Sequence, residues 1–427
     1  MAEPLRVLHV SQPNTGGVAV YVGQAALDQR RRGWDVAVAC PPGGDLPERC
    51  MSAGVPWLNW DAARSPGPRV LLEALGLRRV VRTFAPDVVH LHSSKAGLAG
   101  RLPRRPAGRP VLFQPHGWSW LAATGRQAAA GRRWERLAAR WSDALVCVGA
   151  GELSQGRDAG VRGAYRLVRN GVDRGRFAPA DRRTARIRLG LAAGVPLAVC
   201  VGRVTRQKAQ DVLVAAWPAV TARCPSALLA IVGDGEDLAR LRGRRVPGVR
   251  FVAAVDDPRD WLAASNVVAL PSRWEGLPLT ALEALAMGRP IVGTGVPGLA
   301  EIVRPGLGAL VPVEDPAALA EQIAARLLSP AAAEREGHAA AAAAADYDVA
   351  ATMALLADLT REVAGRGGAP EDAVDSARRV AGGPVHTGLA GLGEGVVAGV
   401  AGTAGPVGAY GALDVGGGAV TPPNSSR

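Results

Sequence analysis

Residues 272–294 read SRWEGLPLTALEALAMGRPIVGT, and the parsing of the whole chain starts from this stretch. Pro278 suits the first turn of a helix, where its missing N–H has no intrahelical partner to lose. Gly288, with Pro290 two residues on, suits that helix's end. Between them Leu279, Ala281, Leu282, Ala284, Leu285, Ala286 and Met287 leave almost no polar face, so the helix is expected to be buried. Two carboxylates stand against this apolar background, Glu275 in the loop before the helix and Glu283 within it. A buried carboxylate left without a partner costs several kcal/mol, so the rest of the chain has to supply the reason for them.

Outward from this stretch, short β-branched runs alternate with helical patterns almost from end to end. The spacing predicts strands at 5–11, 35–40, 55–60, 87–93, 111–115 and 143–149, with helices at 18–32, 69–84 and 127–141 among them. After an Arg/Ala/Pro-rich connector at 174–194, a second set of strands falls at 197–202, 227–233, 249–255, 267–271, 291–294 and 309–313. This is the βαβ pattern of parallel sheets covered on both faces. The 427 residues exceed what one core usually holds. The expectation is an α/β chain of two doubly wound domains facing across a cleft, at 1–175 and 190–345. A final helix at 346–364 is expected to pack back toward the first domain. A Gly/Ala/Val/Pro-rich, low-complexity tail at 365–427 is expected to be disordered.

Composition narrows the partners. Net charge is +12, yet the chain has two lysines, Lys95 and Lys208, against 48 arginines. With abundant Ala, Gly and Pro, that balance matches a coding bias, and the arginines are scattered with no recognised nucleic-acid module, so no nucleic-acid partner is expected. Each surviving lysine is a lead to a place where a compact point charge is wanted. The five cysteines are odd in number and form no C-x-x-C pair, which suits free thiols in a reducing cytoplasm. The start, MAEPLRVLHV, runs into a strand without signal-peptide design. The long uncharged run 395–413 is thick with glycine and contains Pro406, unlike a membrane span.

In open parallel sheets, ligands bind at the carboxyl ends of the strands, and the chemistry-bearing residues gather there. Gly16 and Gly17 link the first strand to a helix, where glycine lets backbone N–H groups approach an anion closely; a plain turn is the competing reading. Arg203 ends the first strand of the second domain and Lys208 opens the next helix, a fork and a point charge suited to a diphosphate. His116 sits in the strand-to-loop corner QPHGW, and Lys95 begins a helix after HLHSS, where a ligand's charge would be met. His90 and His92 alternate on one strand, so one of them is expected only to pack. The stretch GAGELSQG at 149–156 departs from a dinucleotide fingerprint and reads as a turn. The Asp-x-Asp at Asp346 and Asp348 reads as a helix cap. No other cluster has metal-ligand spacing, so neither metal nor cofactor is expected.

Taken together, GGVAVYV, PHG, RNGVD, VGRVTRQK, IVGDGEDL and the opening stretch resemble, in order, the motifs of the retaining glycosyltransferases of family 4, over most of residues 5–360. The opening stretch is similar to that family's E-x7-E motif. The resemblance implies the GT-B architecture, two facing Rossmann-like domains, and an enzyme that transfers sugar from a nucleotide-diphosphate donor with retention and without metal. It implies that Glu283 accepts hydrogen bonds from the donor ribose and that Glu275 reaches the transferred sugar. Gly276 and Leu277 would offer backbone N–H groups, and Arg203 and Lys208 would hold the diphosphate. Gly16 and Gly17 would close on it, and His116 would touch the sugar near the reacting carbon. Uridine is the default base. The HSSKAG stretch resembles members that build cell-surface or extracellular polysaccharide, so a glycan or lipid-linked acceptor is expected. Residues 118–141, which mix tryptophans with arginines, suggest an anionic membrane surface as a further partner of a cytoplasmic protein. Two departures stand out. Ala209 replaces a glycine common after the Gln-Lys pair, and a serine common after the sixth strand is replaced around Gly149–Gly151. A sugar-nucleotide 2-epimerase of the same fold and a non-catalytic sugar-nucleotide-binding protein remain alternatives.

Overall fold

The computed structural model describes residues 4–64, 67–102 and 104–365. A first sheet contains β1 (Arg6–Ser11), β2 (Asp35–Cys40), β3 (Trp57–Asn59), β4 (Val88–His92), β5 (Val111–Gln114), β6 (Ala144–Cys147) and β7 (Tyr165–Leu167). Its strand order is β3-β2-β1-β4-β5-β6-β7. A second contains β8 (Leu197–Val201), β9 (Leu228–Val232), β10 (Val249–Val252), β11 (Val267–Leu270), β12 (Ile291–Thr294) and β13 (Gly308–Val311), in the order β10-β9-β8-β11-β12-β13. Neighbouring strands are parallel throughout. Central strands such as β4 and β5 are buried at every position, the condition of a sheet with helices on both faces. Each order reverses beside its first strand, between β1 and β4 and between β8 and β11, and the reversal opens a crevice at the carboxyl ends of the strands.

The opening stretch forms the expected buried helix, with Pro278 one residue before its first turn rather than in it. Pro278 caps the helix Leu279–Ala286, in which Ala281, Leu282, Ala284, Leu285 and Ala286 are buried. Gly288 takes φ +67, its N–H donates to Leu285 O and the Arg289 N–H donates to Ala284 O. That bond pair is the Schellman arrangement, which satisfies the helix's last carbonyls. It also aims the chain into β12, and so fixes where the helix's first turn points.

Asp348 caps the helix Val349–Val363 by accepting the Ala350 N–H. Met353, Leu356 and Leu359 of this helix pack against Tyr21, Val88, Leu112 and Val146 of the first domain. All five cysteines are free and buried. In residues 118–141 the tryptophans turn at least partly inward, while Arg126, Arg133, Arg136 and Arg140 are exposed. Trp118 and Trp120 stack 4.7 Å apart in the core beside β5 and β6, and Trp134 and Trp141 are half-buried. Among the described residues no helix is long and apolar enough to cross a membrane. Apart from Gly365, the tail at 365–427 lies outside the described residues.

Candidate active site

Backbone stacking at the ends of β8 and β9 sets the position of Arg203. A Cβ on Gly233 would lie 2.2 Å from Gly202 O, and one on Gly235 would lie 2.2 Å from Val204 O, so only glycine lets the two loops meet. Gln210 then pins the loop, its Nε2 donating to Arg203 O at 2.9 Å and its Oε1 accepting the Thr205 N–H at 3.3 Å. Ala209, where the family favours glycine, takes a left-handed conformation at φ +52 and is fully buried. The turn is therefore kept, at a strain of about 1–2 kcal/mol that glycine would not incur.

Lys208 leaves this turn toward Glu275. Its Nζ lies 2.6 Å from Glu275 Oε1, and the Ser272 hydroxyl donates to the same oxygen at 2.6 Å. Thr294, at the end of β12, donates through its hydroxyl to Ser272 O, and Gln207 Nε2 donates to Trp274 O at 3.1 Å. The loops after β8 and β11 thus hold each other. Glu275, 6% exposed, has its counter-charge in Lys208. Glu283 is different: its half-buried carboxyl has no hydrogen-bond or ion-pair partner among the described residues. Burial pushes it up to about 7, against the opposing pull of Arg176. The Arg203 guanidinium likewise has no partner among the described residues. Burial, with Arg64 adding its like charge, holds it below the ordinary arginine range.

Across the crevice, the helix Gly16–Arg31 begins at the glycine pair. A Cβ on Gly16 would come within 3.9 Å of Arg203 Cδ, and one on Gly17 within 3.7 Å of Leu279 Cδ1. Beside them the chain turns after β5 with His116 at φ +53 and Gly117 at φ +99. Glu152, 1% exposed, holds this turn. Its Oε1 accepts the Gly117 N–H, and its Oε2 accepts the Val148 N–H at 2.8 Å. Burial pushes Glu152 up to about 7, and the two N–H donors pull it back. The loop of the second domain reaches the same place. A Cβ on Gly276 would lie 3.5 Å from the Gly117 nitrogen and 3.7 Å from Glu152 Oε1. The turn that carries His116 and the loop that carries Glu275 therefore meet.

Gly276 and Leu277 have no protein acceptor for their backbone N–H groups among the described residues. Leu277 is also part of the contact between the domains. Its side chain is buried, and its carbonyl accepts from Asn170 Nδ2 at 2.6 Å. Glu301 accepts from Arg169 Nε at 2.6 Å and from the Ala150 N–H at 2.7 Å. A Cβ on Gly151 would stand 2.4 Å from Pro297 Cβ, which gives the missing serine near 149–151 a steric cause.

Lys95 is placed differently from its expectation. It sits in the helix Ser93–Gly100 with its Nζ 2.6 Å from Glu73 Oε2, both side chains 5% exposed. Its charge is matched inside the first domain rather than offered to the crevice. The stretch 149–156 is not a turn but the start of the helix Ala150–Asp158, which carries Glu152. Glu152, Asn170, Glu301 and Ser272 went unread because each acts on a backbone or side chain that only the fold brings near.

Two Rossmann-like sheets facing across such a crevice define the GT-B fold, and known proteins agree. The model of glycosyl transferases group 1 matches residues 195–329, and that of the glycosyl transferase 4-like domain matches residues 16–171. The D-inositol 3-phosphate glycosyltransferase 2 of Catenulispora acidiphila is 31% identical over 82% of this chain and 91% of its own length. The UDP-Gal:alpha-D-GlcNAc-diphosphoundecaprenol alpha-1,3-galactosyltransferase of Escherichia coli is 29% identical over 52% of this chain and 62% of its own. Among solved structures, HepE of Anabaena in complex with UDP-glucose superposes with a TM-score of 0.73 at 20% identity, covering 83% of this chain and 99% of its own. The chain belongs to the group 1, family 4 glycosyltransferases. It is a glycosyltransferase, so the epimerase and non-catalytic readings give way.

Proposed function

We propose that this enzyme moves a hexosyl group from a UDP-sugar to a glycan or lipid-linked acceptor, with retention and without a catalytic metal. The observation that carries the reading is the convergence of Arg203, Lys208 and Glu275 on the crevice opposite Gly16 and Gly17. Arg203 and Lys208 take the donor diphosphate and stabilise the charge that builds on it as it leaves, work that a divalent ion does elsewhere. The N–H groups of Gly276 and Leu277 and of the helix start at Gly16–Gly17 add donors. Glu275, held by Lys208 and Ser272, meets the transferred sugar, and His116 contacts it from the other side. Glu283 receives the ribose hydroxyls. HepE's complex with UDP-glucose supports uridine, and the diphosphoundecaprenol-linked sugar in the Escherichia coli relative's name supports a lipid-linked acceptor. The name of the Catenulispora relative adds inositol 3-phosphate as a second acceptor to assay.

Calorimetric titration with UDP, GDP and ADP in EDTA tests the donor side. UDP alone is expected to bind. Binding that requires added metal, or no binding by any of the three, overturns the reading.

Glu283 gives the titration a pH dependence. With its carboxyl raised to about 7, the acceptor form that ribose hydroxyls need is fully present only above that value. UDP affinity is expected to rise from about pH 6 to about pH 8, with protons released on binding, and Glu283→Gln is expected to flatten the rise at a lower affinity. The free protein moves the opposite way. A carboxyl whose folded value lies above its unfolded one stabilises the fold at low pH, and that contribution is lost as pH rises through about 7. A flat affinity profile in the unsubstituted protein would remove Glu283 from the ribose.

A further inference from the structure

Behind His116 lies a row of imidazoles that the proposed chemistry leaves unused. The register pairs His9 of β1 with His90 of β4, and Ser11 with His92. His9, His90 and His92 are fully buried, and nitrogens of the three lie within 4.8 Å of one another. Neither nitrogen of His90 lies within hydrogen-bonding geometry of a partner among the described residues. The other two form a continuous chain. Gln29 Oε1 lies 2.9 Å from His9 Nε2, His9 Nδ1 lies 2.9 Å from His92 Nε2, and His92 Nδ1 lies 3.1 Å from His116 Nε2. Gln29 is itself 1% exposed, on the helix that begins at Gly16.

The chain has a direction. An amide oxygen only accepts, so His9 has to carry its proton on Nε2. A neutral imidazole has one N–H, so His9 Nδ1 accepts, and the proton it accepts is on His92 Nε2. The same step puts the His116 proton on Nε2 and leaves His116 Nδ1 as a bare lone pair. Burial keeps the rings singly protonated: it lowers His9 to about 4 and His116 to about 3, and holds His92 well below the ordinary histidine range with the help of its histidine neighbours. His116 is only half-buried, and its Nδ1 has no protein partner among the described residues.

We propose that Gln29, His9 and His92 are positioning residues that set the tautomer of His116, so that its unprotonated Nδ1 accepts a hydrogen bond from a hydroxyl of the bound ligand. The proposal rests on the reading of the crevice as the sugar site only for the identity of that hydroxyl. The polarity itself is a property of the free protein. Gln29→Leu removes the acceptor that orders the chain, and His116 then divides between two tautomers. Gln29→Glu retains an acceptor-only oxygen and with it the tautomer.

Two-bond proton–nitrogen correlation spectra of the full-length protein, uniformly labelled with ¹⁵N, read imidazole tautomers directly. At neutral pH, His9, His92 and His116 are expected as Nε2–H forms, assigned by single His→Gln substitutions. Gln29→Leu is expected to give a mixture at His116 and about a tenfold loss in kcat/KM, the scale of one lost hydrogen bond. Gln29→Glu is expected to restore both. His116 found as the Nδ1–H form or as an imidazolium overturns the proposal, even if Gln29→Leu fails to fold, because the unsubstituted spectrum decides it. The expected tautomers without UDP binding would instead leave the relay standing and remove the donor assignment.

Discussion

Glu275→Gln is expected to lower turnover by at least about a hundredfold, the scale on which a group that meets developing charge contributes, while UDP affinity stays within about threefold. The structure makes this a clean substitution. Glu275 Oε1 accepts from Lys208 and Ser272, and an amide oxygen in the same place still accepts from both. The loop keeps its shape and only the charge is lost. Lys208 is left freer to meet phosphate, so nucleotide binding has no reason to weaken. Single-turnover rates and calorimetric affinities, measured on the same preparation, separate the two effects. A parallel fall in affinity and rate would place Glu275 on the nucleotide instead of the sugar.

Lys208→Ala is expected to fail in the other way, and twice. Losing a charge-assisted contact to the diphosphate costs about 1.5–3 kcal/mol, or about 10–150-fold in UDP affinity. Glu275, 6% exposed, is also left with Ser272 as its only partner among the described residues. Breaking a buried pair by removing one member is destabilising by about 3–5 kcal/mol. Because the Lys208 side chain is 20% exposed, about 2 kcal/mol is the better figure, or a melting point lowered by about 4–8 °C. Combining Lys208→Ala with Glu275→Gln removes the stranded charge, so the pair is expected to regain most of the melting temperature and none of the affinity. If the double variant melts as low as the single one, the stability cost lies in lost packing and not in the orphaned carboxylate.

Much of this was readable before folding, for reasons that differ by element. β2 and β12 fall at their predicted limits, because short apolar runs closed in by Gly and Pro leave a buried strand little freedom. β7 was missed. It has three residues, all half-buried, at the edge of its sheet, too few to carry a period. Lys208 and Glu275 were found because lysine is scarce here and because the E-x7-E stretch is distinctive. That they form a pair across 67 positions was not legible. Lys95 misled for the same reason: scarcity marks a wanted point charge, but Glu73 wants it as much as a ligand would. Glu152 lay in a segment resembling a glycine turn. The histidine row combines residues 83 and 24 positions apart, and local sequence holds no trace of such pairings.

The helix Val349–Val363 bears on how this protein comes into being on the ribosome. It covers Tyr21, Val88, Leu112 and Val146, each of which is at most 1% exposed in the folded chain. Val172 and Asp348 meet as a parallel bridge at the point where the chain passes between domains. The first half to be synthesised therefore cannot finish its own core. It has to wait, with an apolar face uncovered, until the second domain has been translated and the last helix has emerged. The two halves are separate sheets but not separable modules, and a gene fragment ending before residue 349 would encode a domain with an open side.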